Sequence, residues 1–260
     1  METVIACALT GCVSKPRGAV CFTFDDWHAE HWLKADTLFK KYGAHATFFV
    51  FGEITGKKAE VMKTLRNAGH TVGLHSLHHN SVVPFIHEQS ESRYIEEEIR
   101  PQLDACRKYG IEIHSFSYPF SKRDEASDRM LFRYFDHIRG GRSSAEDTFY
   151  YPLQELPEKC CFIGTGIGTK YGSELAVLKK EMTRAAEVDC VLVYYSHDIG
   201  PADTIGQVDM RLDWLEELLA HAENLNLRMV GFDELDGLRG IAQSRRKESG
   251  EGDHSSCCCI

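Results

Sequence analysis

Two adjacent carboxylates and three histidines are the residues of this sequence best suited to chemistry: Asp25-Asp26, His75 with His79, and His197 followed by Asp198. Two neutral imidazoles and a carboxylate make a three-ligand metal site with an open position for water. His75 and His79 are four residues apart, so one helical turn or a tight loop can aim both at one ion. Asp26 supplies the hard oxygen donor. Asp25 is then free to take a proton from water, and His197, from a distant segment, to protonate a leaving group. Acid–base help of this kind is worth roughly 10²–10⁴-fold. The set points to a metal-dependent hydrolase. An aspartate pair after a strand can also merely cap the next helix; the histidines beside it favour the chemical reading.

Something must bring these residues together. Each cluster follows an apolar, β-rich run. Strands are expected over Ala19–Phe24, Ala46–Phe51, Thr71–Leu74, Ile111–Tyr118, Phe135–Arg139, Cys160–Gly164, Cys190–Tyr195 and Leu227–Gly231. Helical periodicity covers Glu30–Tyr42, Lys57–Ala68, Ser90–Tyr109, Asp124–Tyr134, Ser173–Glu187 and Val208–Asn224. Glycine stops follow Tyr42, Ala68 and Tyr109. Strand and helix in repeated alternation predict parallel strands with crossover helices. A closed or nearly closed β/α barrel fits best, and a doubly wound open sheet is the alternative. In a barrel the C-terminal strand ends share one face, where active sites lie. The polar stretch Gly140–Pro157 is the expected excursion from the barrel.

The motifs Thr23-Phe24-Asp25-Asp26, His75-Ser76-Leu77-His78-His79, Tyr118-Pro119-Phe120 and Tyr195-Ser196-His197-Asp198 stand in an order and spacing that resemble the NodB-type polysaccharide deacetylases of carbohydrate esterase family 4. The resemblance runs from about Gly18 to Leu235. It implies a distorted (β/α)7 barrel that removes acetyl groups from N-acetylated sugars, or from O-acetylated ones in some members. It also implies Asp25 as catalytic base, Asp26, His75 and His79 as metal ligands, and His197 as catalytic acid. The Phe120 N–H would be an oxyanion donor, with Tyr118, Pro119 and Tyr194 around the pocket. Zinc is the implied ion, with cobalt or nickel as alternatives.

Three positions depart from the family pattern. Ser117 stands where the third motif usually begins with an Arg that pairs with the base. The Asp-bearing fourth motif is not recognisable. Tyr194 replaces the usual Leu of the last motif. Arg139, at the end of its strand, is the candidate substitute cation beside Asp25. Two rival readings are a hydrolase of the same fold acting on a cyclic imide or ureide, and a carbohydrate-binding protein whose catalytic site is retired.

Composition sets outer limits. The 260 residues suffice for one large domain, and the 43% hydrophobic fraction is ordinary for a globular chain. A net charge of −9 argues against a broad nucleic-acid footprint. The ten cysteines contain no CxxC pair, which disfavours a thiolate zinc cluster, and Cys21 and Cys190 read as buried small hydrophobes. No apolar run is long enough for a transmembrane span. The expected layout is an N-terminal segment 1–17, one domain over 18–241 and a disordered polar tail 242–260. Leu9-Thr10-Gly11-Cys12, after Val4–Leu9, resembles a lipobox and would place the chain at the cell envelope through Cys12. Cys257-Cys258-Cys259-Ile260 formally fits a prenylation signal. The two signals exclude each other; without either the chain would be cytoplasmic. His78 reads as a surface residue or a partner behind the ligands. His28 and His31 read as solvated helix positions, with a groove lining or separate metal site as the sharper alternative. Trp27 and Trp32 are sugar platforms or core, and Asp198 orients His197 or caps the next segment. Gly164–Gly168 reads as a turn.

Overall fold

The computed structural model describes residues 18–142, 149–201 and 209–240. The expectations for segment 1–17, with Cys12, and for tail 242–260, with the three terminal cysteines, lie outside the described residues. The strands are β1 (Ala19–Phe24), β2 (Thr47–Val50), β3 (Thr71–Leu74), β4 (Ser115–Ser117), β5 (His137–Arg142), β6 (Tyr151–Pro152), β7 (Cys160–Gly166), β8 (Cys190–Ser196), β9 (Ile199–Gly200), β10 (Met210–Arg211) and β11 (Arg228–Met229). Seven of them, β1 to β5 with β7 and β8, run parallel, and β8 pairs with β1 to close a barrel. This is the (β/α)7 architecture expected from the sequence. Its seams are unequal: β1 and β8 pair from Ala19↔Val191 to Phe24↔Ser196, whereas β3 and β4 share only Leu74↔Phe116.

The helices are α1 (Ala29–Lys41), α2 (Gly56–Asn67), α3 (Val82–Glu88), α4 (Glu91–Tyr94), α5 (Arg100–Lys108), α6 (Glu125–Leu131), α7 (Leu175–Glu187) and α8 (Leu212–Asn224). Period-two alternation along β1 sends Ala19 and Cys21 into the barrel with Phe49, Phe162, Val193 and Phe232. Val20, Phe22 and Phe24 point outward, into the layer that packs Trp32 and Phe39 of α1. Both faces of the strand are therefore buried, which is why it reads as a continuous apolar run. Carried past Phe24, the alternation brings Asp25 over the barrel interior.

Several boundaries differ from expectation. Ser90–Tyr109 is not one helix but α4, a wide π turn over Ile95–Ile99, and α5. Pro101, without an N–H, cannot continue the regular ladder there. The strand expected over Ile111–Tyr118 shrinks to β4. Gly140–Arg142 stay in the barrel as the end of β5, so the excursion starts later. The expected helix Val208–Asn224 begins at Leu212. Helix α3 and the small β9–β10 sheet were not anticipated. No helix among the described residues is long and apolar enough to cross a membrane.

Candidate active site

Asp25, Asp26, His75, His79 and His197 line one cavity of about 370 Å³ at the C-terminal ends of the barrel strands. The backbone works to place them. The Asp25 N–H donates to Ser196 O at 3.0 Å, tying the end of β1 to β8, and the His75 N–H donates to Val50 O at 2.9 Å. Asp26 (φ +73°), Ser76 (φ +64°), His79 (φ +59°) and Phe120 (φ +58°) all take left-handed backbone conformations that side-chain-bearing residues avoid. Such strain persists only where surrounding structure enforces it.

Three donor atoms converge. His75 Nε2 and His79 Nε2 lie 3.1 Å apart, and Asp26 Oδ1 lies 3.7 Å from the first and 3.5 Å from the second. Ligands about 2.1 Å from one tetrahedral ion would sit about 3.4 Å from one another. The triangle fits that requirement, and among the described residues it is the one cluster of three such side chains able to hold a metal. His75 Nδ1–H donates to the backbone carbonyl of Ser117 at 2.9 Å. A carbonyl only accepts, so this bond fixes the tautomer and leaves the Nε2 lone pair free to ligate a metal ion. Burial pushes the His75 pKa down, against the pull of Asp25 and Asp26, which keeps the ring neutral.

Asp25 is 3% exposed. Its carboxylate is paired with the guanidinium of Arg139, which is itself fully buried, and accepts from Ser117 Oγ–H at 3.3 Å. Burial pushes the Asp25 carboxyl up. Arg139 first, then His75 and His197, outweigh that effect and hold it below the ordinary carboxylate range. Ser117 also meets His75 through its hydroxyl, so the residue at the usual Arg position links Asp25 and His75. On the far wall, Asp209 Oδ2 lies 2.7 Å from His197 Nδ1. Trp32 Nε1–H donates to His197 O at 3.1 Å. His197 pulls the Asp209 carboxyl down against the effect of its burial.

Other sequence-level candidates are sorted by the structure. Arg139 reaches Asp25 as expected. Phe120 and Tyr118 line the cavity, while Pro119 is buried in the turn behind them and is not part of the wall. Tyr194 is not in the pocket. Its hydroxyl donates to Leu178 O at 3.0 Å and meets Glu181 at 2.8 Å, on the helix side of β8. Alternation along β8 turns Tyr195, not Tyr194, to the cavity. Trp32 is fully buried core rather than a sugar platform. His31 Nδ1 lies 2.7 Å from Asp198 Oδ1 and His28 Nδ1 3.6 Å, so both rings face Asp198. Asp198 Oδ1 accepts from Ile199 N–H at 2.9 Å, which makes it a local cap. Asp209 was missed in the sequence because no motif marks it; only the pairing of β10 with β9 returns it to His197. Lys170 and Tyr171 of the cavity wall were missed too.

The sequence matches no curated protein. The family model described as polysaccharide deacetylase matches residues 13–133. Among solved structures, the barrel is similar to the peptidoglycan deacetylase PdaC of Bacillus subtilis, at 17% identity and TM-score 0.60, covering 91% of this chain and 98% of that one. It is similar to the chitin deacetylase of the fungus Colletotrichum lindemuthianum, at 18% identity and TM-score 0.56, covering 85% and 88%. It is similar as well to a putative polysaccharide deacetylase of Mycobacterium smegmatis, at 14% identity and TM-score 0.59, covering 95% and 96%. With the motif order intact, the family model matching residues 13–133 and the barrel fold shared, the chain is similar to the NodB-type polysaccharide deacetylases of carbohydrate esterase family 4.

Proposed function

We propose that this protein is a divalent-metal-dependent hydrolase that releases acetate from an N-acetylated, or O-acetylated, glycan. The observation that carries the reading is the donor triangle of Asp26, His75 and His79 directly beside a buried, cation-paired Asp25. An ion held by those three side chains supplies a Lewis acid that acidifies water and polarises the acetyl carbonyl. Zinc suits two imidazoles and a carboxylate, and cobalt or nickel would serve the same donors.

The chain's own groups do the rest. Asp25, kept anionic, takes the proton of the attacking water. The Phe120 N–H is the donor to the developing oxyanion in this reading, supported by the position of Phe120 in a left-handed turn on the cavity wall. His197, opposite Asp25 and backed by Asp209, gives a proton to the departing amine, or to the alkoxide of an ester. The metal ligands and the acid come from different strands, so the barrel itself fixes their separation.

The test is acetate release from a panel of acetylated glycans, with and without chelator, for wild type and Asp25→Asn. We expect chelation to abolish release and Asp25→Asn to lower it by roughly 10²–10⁴-fold. Turnover indifferent to chelator would overturn metal dependence. Ring opening of a cyclic imide, with no acetate released from any glycan, would reassign the substrate.

A further inference from the structure

We propose that Glu98 is a positioning residue that sets the metal affinity of this centre by fixing the loop between His75 and His79; the inference rests on the metal site proposed above. Glu98 is fully buried, on the π turn that separates α4 from α5. Nothing in the proposed chemistry uses it, and it does not line the catalytic cavity. A buried carboxylate is costly unless donors surround it. Among the described residues, the hydrogen-bond partners of the carboxylate belong to the ligand loop. The His78 N–H donates to Oε2 at 2.8 Å, His78 Nδ1 meets Oε1 at 3.0 Å, and Asn80 Nδ2 donates to Oε1 at 2.6 Å. The Glu98 backbone carbonyl also accepts from the Leu77 N–H at 3.1 Å. One residue therefore holds positions 77, 78 and 80, on both sides of His79.

That loop needs holding. Ser76 and His79 are both in left-handed conformations, and the loop must keep two imidazole nitrogens 3.1 Å apart. Lone pairs at that separation repel unless a proton or a metal ion lies between them, so the loop must hold the two rings against parting. A second buried residue four positions on, Gln102, repeats the device: its Nε2 donates to Gly52 O at 2.8 Å, and the Gly52 N–H donates to Ser76 O at 3.0 Å. Helix positions 98 and 102 lie on one face, so the segment grips both ends of the turn that carries the ligands. Groups that orient metal ligands from behind are typically worth 10–100-fold in affinity.

The experiment measures Zn²⁺ affinity of the full chain by competition with a chromophoric chelator, and the melting temperature of the metal-free protein alongside. Glu98→Gln keeps the shape but loses the charge and presents an NH₂ where an acceptor is needed. Its affinity is expected to fall by about 10–100-fold. Asn80→Ala removes one donor without burying a new group, and is expected to give a smaller fall. A lower melting temperature with wild-type Zn²⁺ affinity in Glu98→Gln would mean a purely structural role and would overturn the proposal. If Glu98→Gln does not fold, Asn80→Ala decides: unchanged affinity overturns the proposal. Failure of the wild type to bind Zn²⁺, Co²⁺ or Ni²⁺ would instead remove the metal reading itself, and this inference with it.

Discussion

At Asp25 two large effects oppose each other. Removal from water favours the neutral carboxyl, and the guanidinium of Arg139 favours the anion and prevails. Arg139 is held in place by the ring of Tyr195, 4.5 Å from its central carbon, and by Phe49 at 5.7 Å. These cation–π contacts are worth about 0.5–2 kcal/mol each. Because the folded-state pKa of Asp25 is depressed, its ionisation stabilises the fold above the ordinary carboxylate range. That contribution is lost as pH falls through the depressed value. The same depression would keep Asp25 competent as the proposed base at mildly acidic pH. Arg139→Met should therefore move the acid limb of kcat/KM to higher pH. It should also cost about 3–5 kcal/mol, because it leaves a buried carboxylate without its partner. A pH–rate profile and a melting curve test both; an unmoved acid limb would rule out Arg139 as the group that tunes Asp25.

At the scale of elements, the barrel seams set how tightly the strand ends can approach. Gly73 in β3 shows the constraint: a Cβ there would meet Phe49 Cδ1 at 2.6 Å and the backbone carbonyl of Ser115 at 2.7 Å. The carbonyl belongs to β4, across the seam with a single paired register, so backbone as well as a buried ring would have to shift. Gly73→Ala should destabilise the fold by about 1–3 kcal/mol. It should also weaken metal binding, since His75 follows two residues later. Denaturation of the metal-free protein and a Zn²⁺ titration measure the two effects separately, and a stability loss with intact binding would show that β3 repacks without moving His75. The sequence showed the strands because both of their faces are buried, and it showed the five central residues because they end those strands. It did not show that Tyr195 rather than Tyr194 faces the cavity, although alternation from His197 would have told the two apart. Glu98 and Asp209 were illegible for a different reason. Each acts through a loop or a paired strand from far along the chain, and nothing local distinguishes them from surface carboxylates. The π turn escaped notice because Ile95, Glu98 and Ile99 fit the spacing of a regular helix equally well.

Over the whole molecule, the donor triangle joins elements that lie far apart in sequence. Asp26 leaves the end of β1, while His75 and His79 leave the end of β3, with β2 between them. An ion that binds this arrangement only in the folded state must stabilise the barrel by mass action. At a hundredfold excess over Kd the gain is about 2.7 kcal/mol. For a domain of this size each kcal/mol raises the melting temperature by about 2–4 °C, so Zn²⁺ should raise it by roughly 5–11 °C. The net charge of −9 favours cation approach and disfavours polyanions at the same time. The rise should shrink as pH falls, because ligation requires neutral imidazoles. Burial lowers the His75 pKa, so that ring resists protonation. Melting curves with Zn²⁺ and with chelator, at several pH values, read this directly. His79→Ala should flatten the difference at every pH, whereas a metal-dependent rise that survives His79→Ala would place the bound ion away from the donor triangle.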